Sequence, residues 1–150
     1  MRAVGWDHPG GVALREAQRV EIRADYYPEL ENSEPGPPPS AADMTVYYVA
    51  FDGDRAVASG GLRQIDSGHG EIKRMFVDVE YRGTGVAAQL LRALEADARE
   101  RGWDRLVLET GDRMLPAQRF YLREGFTPIP QFGPYVGVDL SLCFGKVLAS

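Results

Sequence analysis

The stretch that most restricts the fold runs from Val77 to Leu91, Val-Asp-Val-Glu-Tyr-Arg-Gly-Thr-Gly-Val-Ala-Ala-Gln-Leu-Leu. An apolar segment stops, a glycine-rich turn follows, and an amphipathic segment begins at once. Ala87, Leu90, Leu91, Leu94 and Ala98 share one face at helical spacing, so a helix is expected over Ala87–Arg101, with Gly102 placed to end it. The first N–H groups of such a helix have no partner within it, and the helix dipole adds partial positive charge at the same place. Gly83 and Gly85 carry no Cβ, so a phosphate can come close to the backbone, and Arg82 adds a charge. The turn lacks the Gly-Lys-Ser/Thr ending of a nucleoside triphosphate loop. The bland alternative is that the glycines only allow a tight strand-to-helix connection.

Gly83, Gly85 and Ala88 also satisfy a dinucleotide-binding spacing, with Glu109 at the end of the next predicted strand. Two features count against that use. Glu80-Tyr81-Arg82 separate the apolar run from the first glycine, and too little chain follows Glu109 to finish a doubly wound sheet.

The remaining pattern is that of a single mixed α/β domain over residues 1–150. Apolar positions between Val12 and Tyr27 predict a first helix, which Pro28 discourages from continuing. Glu31–Asp43 holds Glu-Pro-Gly-Pro-Pro-Pro-Ser and reads as a connection, either solvated or walling one side of a cleft. Thr45–Phe51 and Ala56–Leu62 flank Asp52-Gly53-Asp54 as a β-hairpin, and Glu71–Val79 predicts a third strand. Leu106–Thr110 is a short strand, Pro116 opens a helix that Gly125 stops, and Phe126–Ile129 and Val138–Leu148 close the chain as strands.

With a net charge of -5 the chain is a poor general binder of nucleic acid or anionic membrane. No apolar run approaches the length needed to cross a bilayer, and the first residues do not read as a signal peptide, so a cytoplasmic location is expected. The one cysteine, Cys143, allows no internal disulfide and reads as buried and inert. His8 and His69 stand far apart with no ligand spacing, so no metal is expected.

Arg82-Gly83-Thr84-Gly85-Val86-Ala87 resembles the Arg/Gln-x-x-Gly-x-Gly/Ala signature of the GCN5-related N-acetyltransferases, the GNAT superfamily. Phe120-Tyr121-Leu122-Arg123-Glu124-Gly125-Phe126 resembles the late segment of the same family, and the order of elements is similar to its fold. The resemblance implies a central, mostly antiparallel sheet splayed around acetyl-coenzyme A, with flanking helices, and acetyl transfer to the amine of a small molecule in a ternary complex. It implies that Met75, Phe76 and Val77 run beside the pantetheine arm, and that the backbone of Arg82, Gly83, Thr84, Gly85, Val86 and Ala87 holds the pyrophosphate. Tyr121 falls on the family's proton donor to the leaving thiolate, and Glu71 stands where several members carry a catalytic glutamate. Glu71 reads equally as a strand-edge carboxylate paired with Lys73, and Tyr121 as a core tyrosine.

An asparagine that many members place after the strand ending at Glu109-Thr110-Gly111 is missing, the chain's single Asn being Asn32, so Thr110 is the substitute expected there. Phe132 and Tyr135 are expected to line the acceptor pocket by analogy with the family's late loop. Glu16, Glu21, Asp25 and Glu29 alternate with Arg15, Arg19 and Arg23 on or near the first helix, a pattern that suits either a solvated face or an acceptor carrying both signs of charge. Family members are often dimers, so a homodimer is a possibility by resemblance. A competing use of the same fold is an acyl-coenzyme A sensor or partner module that transfers nothing.

Overall fold

The computed structural model describes residues 1–29 and 39–148. Most of the proline-rich connection, Asn32 included, therefore lies outside the described residues. A seven-stranded sheet in the order β1-β2-β3-β4-β5-β7-β6 runs through the molecule. Its strands are β1 (Arg2–Ala3), β2 (Val46–Asp52), β3 (Arg55–Gln64), β4 (His69–Val77), β5 (Arg105–Gly111), β6 (Thr127–Ile129) and β7 (Ser141–Val147). Every neighbouring pair is antiparallel except β4 and β5, which are parallel.

Helix α1 (Pro9–Glu21) lies on one side of the sheet, with Leu14 packed against Tyr47 and Val49, while α2 (Val86–Glu100) covers the other. Pro9 opens α1 and the His8 ring accepts from the Gly10 N–H at 3.1 Å, so this histidine caps a helix. The expected helix Val12–Tyr27 is α1 continued by a wider π-helical turn at Ile22–Tyr26. On α2, Leu90, Leu91, Leu94 and Ala98 are fully buried as their spacing predicts. Each leucine contributes about 1.5–3 kcal/mol of apolar burial. Helix α3 (Leu115–Arg123) completes that layer, with Tyr121 and nearby Phe126 in the same core cluster.

Two irregularities open the sheet. β4 and β5 pair only at His69–Arg105, Gly70–Leu106 and Glu71–Val107, and then diverge. Just past the last of these pairs, β4 bulges against β3 between the partners of Ser59 and Gly61, and Arg74 adopts φ 59°. The extra residue switches the phase of the strand. Ile72 joins the cluster under α2; beyond the bulge Met75 and Val77 take that side, while Phe76 turns to the side of α1.

Candidate active site

The turn before α2 is open. Gly83 has φ 79° and Gly85 φ 87°, a region that side chains with a Cβ avoid, and a Cβ built on either would meet nothing within 4 Å. Gly85 is the N-cap of α2, and no side chain caps the helix among the described residues. The Thr84 hydroxyl donates to the Tyr81 carbonyl at 2.5 Å and so fastens the turn without entering the groove. Arg82 donates to the Val77 carbonyl at 3.1 Å and to Glu21 at 2.7 Å, bringing α1 to the same corner.

From this turn a groove of about 450 Å³ runs along β4 between α1 and α3. Met75, Phe76 and Val77 line it, as do Arg82, Gly83, Gly85, Val86 and Ala87. Its volume lies within the range of small-molecule sites. Open amides at a helix start, with Arg82 at one bank and Arg123 at another, fit an anionic diphosphate. The long apolar floor fits an extended arm.

A second, smaller cavity of about 100 Å³ fills the divergence of β4 and β5. Gln18, Ile22, Met75, Met114, Ala117 and Tyr121 belong to the walls of both spaces, so the groove opens into the cavity. Tyr121 is 6% exposed and packs edge-on between Phe120 and Phe126. Burial pushes its phenol above the ordinary tyrosine range, so it holds its proton throughout the neutral region. It is a core residue and a wall of both spaces.

Thr110 borders the smaller cavity and not the groove. Gly111 lies flat beneath the Tyr27 ring, which leaves no room for a side chain. The Tyr27 hydroxyl donates to Asp112 at 2.8 Å and accepts from the Arg113 N–H at 3.0 Å.

Glu71 is placed differently from the expectation of a strand edge. β4 is an inner strand, and Glu71 is fully buried on it. One carboxylate oxygen accepts from Arg63 at 2.7 Å, and the other accepts from the Tyr135 hydroxyl at 2.5 Å with Lys73 at 3.8 Å. Lys73 also donates to the Tyr135 oxygen at 2.9 Å. Glu71 borders neither space. Phe132 and Tyr135 do not line them either, because the loop after β6 folds onto the sheet and sinks Tyr135 to 1% exposure over Glu71 and Lys73. Cys143 is buried, and burial together with nearby Glu109 and Glu71 raises its thiol. Arg15 stacks on Trp6 at 3.6 Å and donates to its carbonyl, so it braces the N-terminal segment.

The residues whose placement sequence reasoning missed are Gln18, Arg74 and Glu109, all bordering the smaller cavity. Glu109, weighed in the sequence only as the acidic residue of a dinucleotide motif, accepts from the Ser141 hydroxyl at 2.6 Å. The signal for Glu109 was its place at the end of a strand beside the divergence; for Arg74 no local signal exists.

Comparison with known proteins gives the family. The model of the acetyltransferase (GNAT) family matches residues 17–126. The chain belongs to the GNAT family. Among curated GNAT relatives, the uncharacterized N-acetyltransferase YsnE of Bacillus subtilis is 36% identical over 91 residues, 59% of this chain and 60% of that protein. IAA acetyltransferase of Azospirillum brasilense is 36% identical over 103 residues, 68% of this chain and 67% of that one. The chain thus spans about three fifths to two thirds of the length of these relatives. Among solved structures, a candidate acyl-CoA N-acyltransferase from Klebsiella pneumoniae superposes with a TM-score of 0.81 at 27% identity, covering 99% of this chain and 96% of that one.

Proposed function

We propose that this GNAT protein moves an acetyl group from acetyl-coenzyme A to the amine of a small molecule by direct attack, both substrates being bound together. The observation that carries this reading is the seam between the two spaces. A groove suited to a diphosphate and an extended arm opens, past Met75 and Ala117, into a small cavity, and the buried Tyr121 stands at the opening.

Acetyl-coenzyme A supplies a thioester, whose acyl carbon accepts the amine nitrogen while the carbon–sulfur bond breaks. The chain's task is to bind the distant nucleotide end and so fix the reacting end, because the acetyl group is too small to position itself. The amides at Gly83–Ala87 serve the diphosphate, and the freed edge of β4 at Met75–Val77 serves the arm. Tyr121, neutral at physiological pH, gives its proton to the departing sulfur and regains one from solvent. The proton lost by the amine goes to a carboxylate, and the carboxylate bordering the cavity is Glu109 and not Glu71. Glu71 keeps the second side of the sheet together through Arg63, Lys73 and Tyr135.

Titration calorimetry with coenzyme A, followed by thiol release from acetyl-coenzyme A across a panel of small amines, tests the proposal. Heat on binding plus amine-dependent thiol release is expected. Tight binding with no release for any amine would turn the assignment to a sensor module, and no heat at all would remove the groove from its role. Glu109→Gln should flatten the acidic limb of the pH–rate profile and lower turnover about 100-fold.

A further inference from the structure

Helix α1 and the turn that continues it present Gly11, Leu14, Gln18 and Ile22 on one stripe at helical spacing. Gly11 and Leu14 are buried, and Gln18 and Ile22 wall both the groove and the smaller cavity. Gln18 is the member of this stripe with a polar side chain, at a place where leucine or methionine would carry no desolvation cost. Packing sets where it stands. Leu14, one turn before, is held against Tyr47 and Val49, and Glu21, nearly one turn after, holds Arg82 at 2.7 Å.

Half of this amide is matched. Its Nε2 donates to the Met75 carbonyl at 3.0 Å, past the last rung between β4 and β5. A carbonyl only accepts, so the contact fixes which end of the amide is oxygen. Its Oε1 is buried and accepts no hydrogen bond among the described residues. A buried acceptor left unmatched is costly, so a donor is expected to arrive with what binds there.

The charged groups of the cavity wall are engaged within the chain. Arg74 and Glu109 both have partners of their own, and Glu109 takes the Ser141 hydroxyl at 2.6 Å. Glu16 holds Arg19 at 2.6 Å, and the Thr110 hydroxyl donates to the Met114 sulfur at 3.8 Å. The cavity therefore does not sort ligands by a bare charge. It offers a directed acceptor, and Gln18 shares the seam of the two spaces with Tyr121, the other polar residue common to both walls. A donor reaching Gln18 stands where the thioester reacts.

We infer that Gln18 is a specificity-determining residue that selects primary amines, its Oε1 accepting the N–H that the acceptor nitrogen keeps as it becomes an amide. This rests on the transferase reading proposed above. A primary amine in its neutral form carries two hydrogens on nitrogen. Its lone pair forms the nitrogen–carbon bond as the carbon–sulfur bond breaks, and the sulfur takes the Tyr121 proton. One hydrogen leaves the nitrogen as a proton to Glu109, and the other stays on Gln18 throughout. Nitrogen gains positive charge as it attacks, so the hydrogen bond to the amide oxygen strengthens toward the transition state. A secondary amine has a single hydrogen, which has to leave. While that hydrogen is passed to the base, a carbon substituent faces Oε1 and the buried acceptor stays unmatched.

Isomeric pairs test the inference: propylamine against N-methylethylamine and butylamine against diethylamine, with acetyl-coenzyme A and the unmodified chain. The members of a pair match in size and closely in basicity, so a preference between them belongs to the site. The primary amines are expected to exceed their secondary isomers in kcat/KM by about 10–100-fold, the effect of leaving one buried acceptor unmatched. Gln18→Met keeps the length of the side chain and removes the acceptor. It should bring the ratio below about threefold while coenzyme A affinity in calorimetry holds within about threefold. Secondary amines acetylated as readily as primary ones by the unmodified chain would overturn the inference and leave the transferase standing. So would a ratio that Gln18→Met leaves unchanged, with or without a loss of coenzyme A affinity. No transfer to any member of the panel, with coenzyme A bound, would overturn both.

Discussion

Replacing Glu71 by Gln separates a structural carboxylate from a catalytic one. The side chain is fully buried, with Arg63 at 2.7 Å, the Tyr135 hydroxyl at 2.5 Å and Lys73 at 3.8 Å. Gln keeps the shape and can still accept one of these hydrogen bonds, but Lys73, whose side chain is 9% exposed, then faces a neutral amide. Removing one partner of a buried ion pair costs about 3–5 kcal/mol, and the retained acceptor puts the expected loss near the lower value, about 3 kcal/mol. That is a large share of the roughly 5–15 kcal/mol that hold a typical domain folded. For a chain of this length it lowers Tm by about 6–12 °C. Urea unfolding followed by far-ultraviolet circular dichroism reads the loss, and turnover measured at low temperature on the folded variant should fall less than about threefold. The reasoning would be refuted by stability within about 1 kcal/mol of the parent together with turnover lost by about 100-fold or more, which would place Glu71 in the reaction.

Tyr121→Phe keeps the ring between Phe120 and Phe126, so coenzyme A affinity should hold within about twofold while single-turnover acetyl transfer falls about 100-fold; equal losses in both would remove the proton-donor role. Gly85→Ala forces an alanine to φ 87° and should cost about 1–2 kcal/mol in stability. It should also weaken coenzyme A binding by more than about tenfold in calorimetry, since the new Cβ enters the space meant for the diphosphate. Tyr27 is buried enough to push its hydroxyl up to about 12, whereas an unfolded tyrosine ionises near 10. Its contribution is whole below about pH 10 and is lost between about 10 and 12, because the unfolded chain then binds fewer protons than the folded one. The fall of Tm with pH over that window should therefore be shallower for Tyr27→Phe than for the parent.

The elements governed by local pattern were legible in the sequence. Helix α2 was expected at Ala87–Arg101 and spans Val86–Glu100, because its apolar stripe and flanking glycines act within a few residues of themselves. The strand–turn–helix unit and the openness of Gly83 and Gly85 followed from the same local chemistry. What depended on partners elsewhere in the chain was not legible. The two residues of β1 are too few to show a period, and they are strand only because β2 accepts them. Glu71 read as an edge carboxylate because nothing near it announces that β5 will lie alongside. Arg74 carries a backbone conformation usually given to glycine, so no residue type flagged the bulge, and without it the side taken by Met75, Phe76 and Val77 could not be assigned. Tyr135 was expected in a pocket, yet its ring and hydroxyl match the buried pair of Glu71 and Lys73, which only the folded loop brings within reach.

Three rungs join β4 to β5, and past Glu71 and Val107 the one sheet becomes two leaves. Each leaf is internally cross-linked by antiparallel ladders, so the joint between the leaves is less braced than either interior. An extended ligand arm laid along Met75–Val77 would act as a splint, bridging the gap that β5 leaves beside β4. Amide exchange should accordingly slow along the far end of β4 on loading, while the closely laddered stretch from Leu106 to Leu108 barely changes.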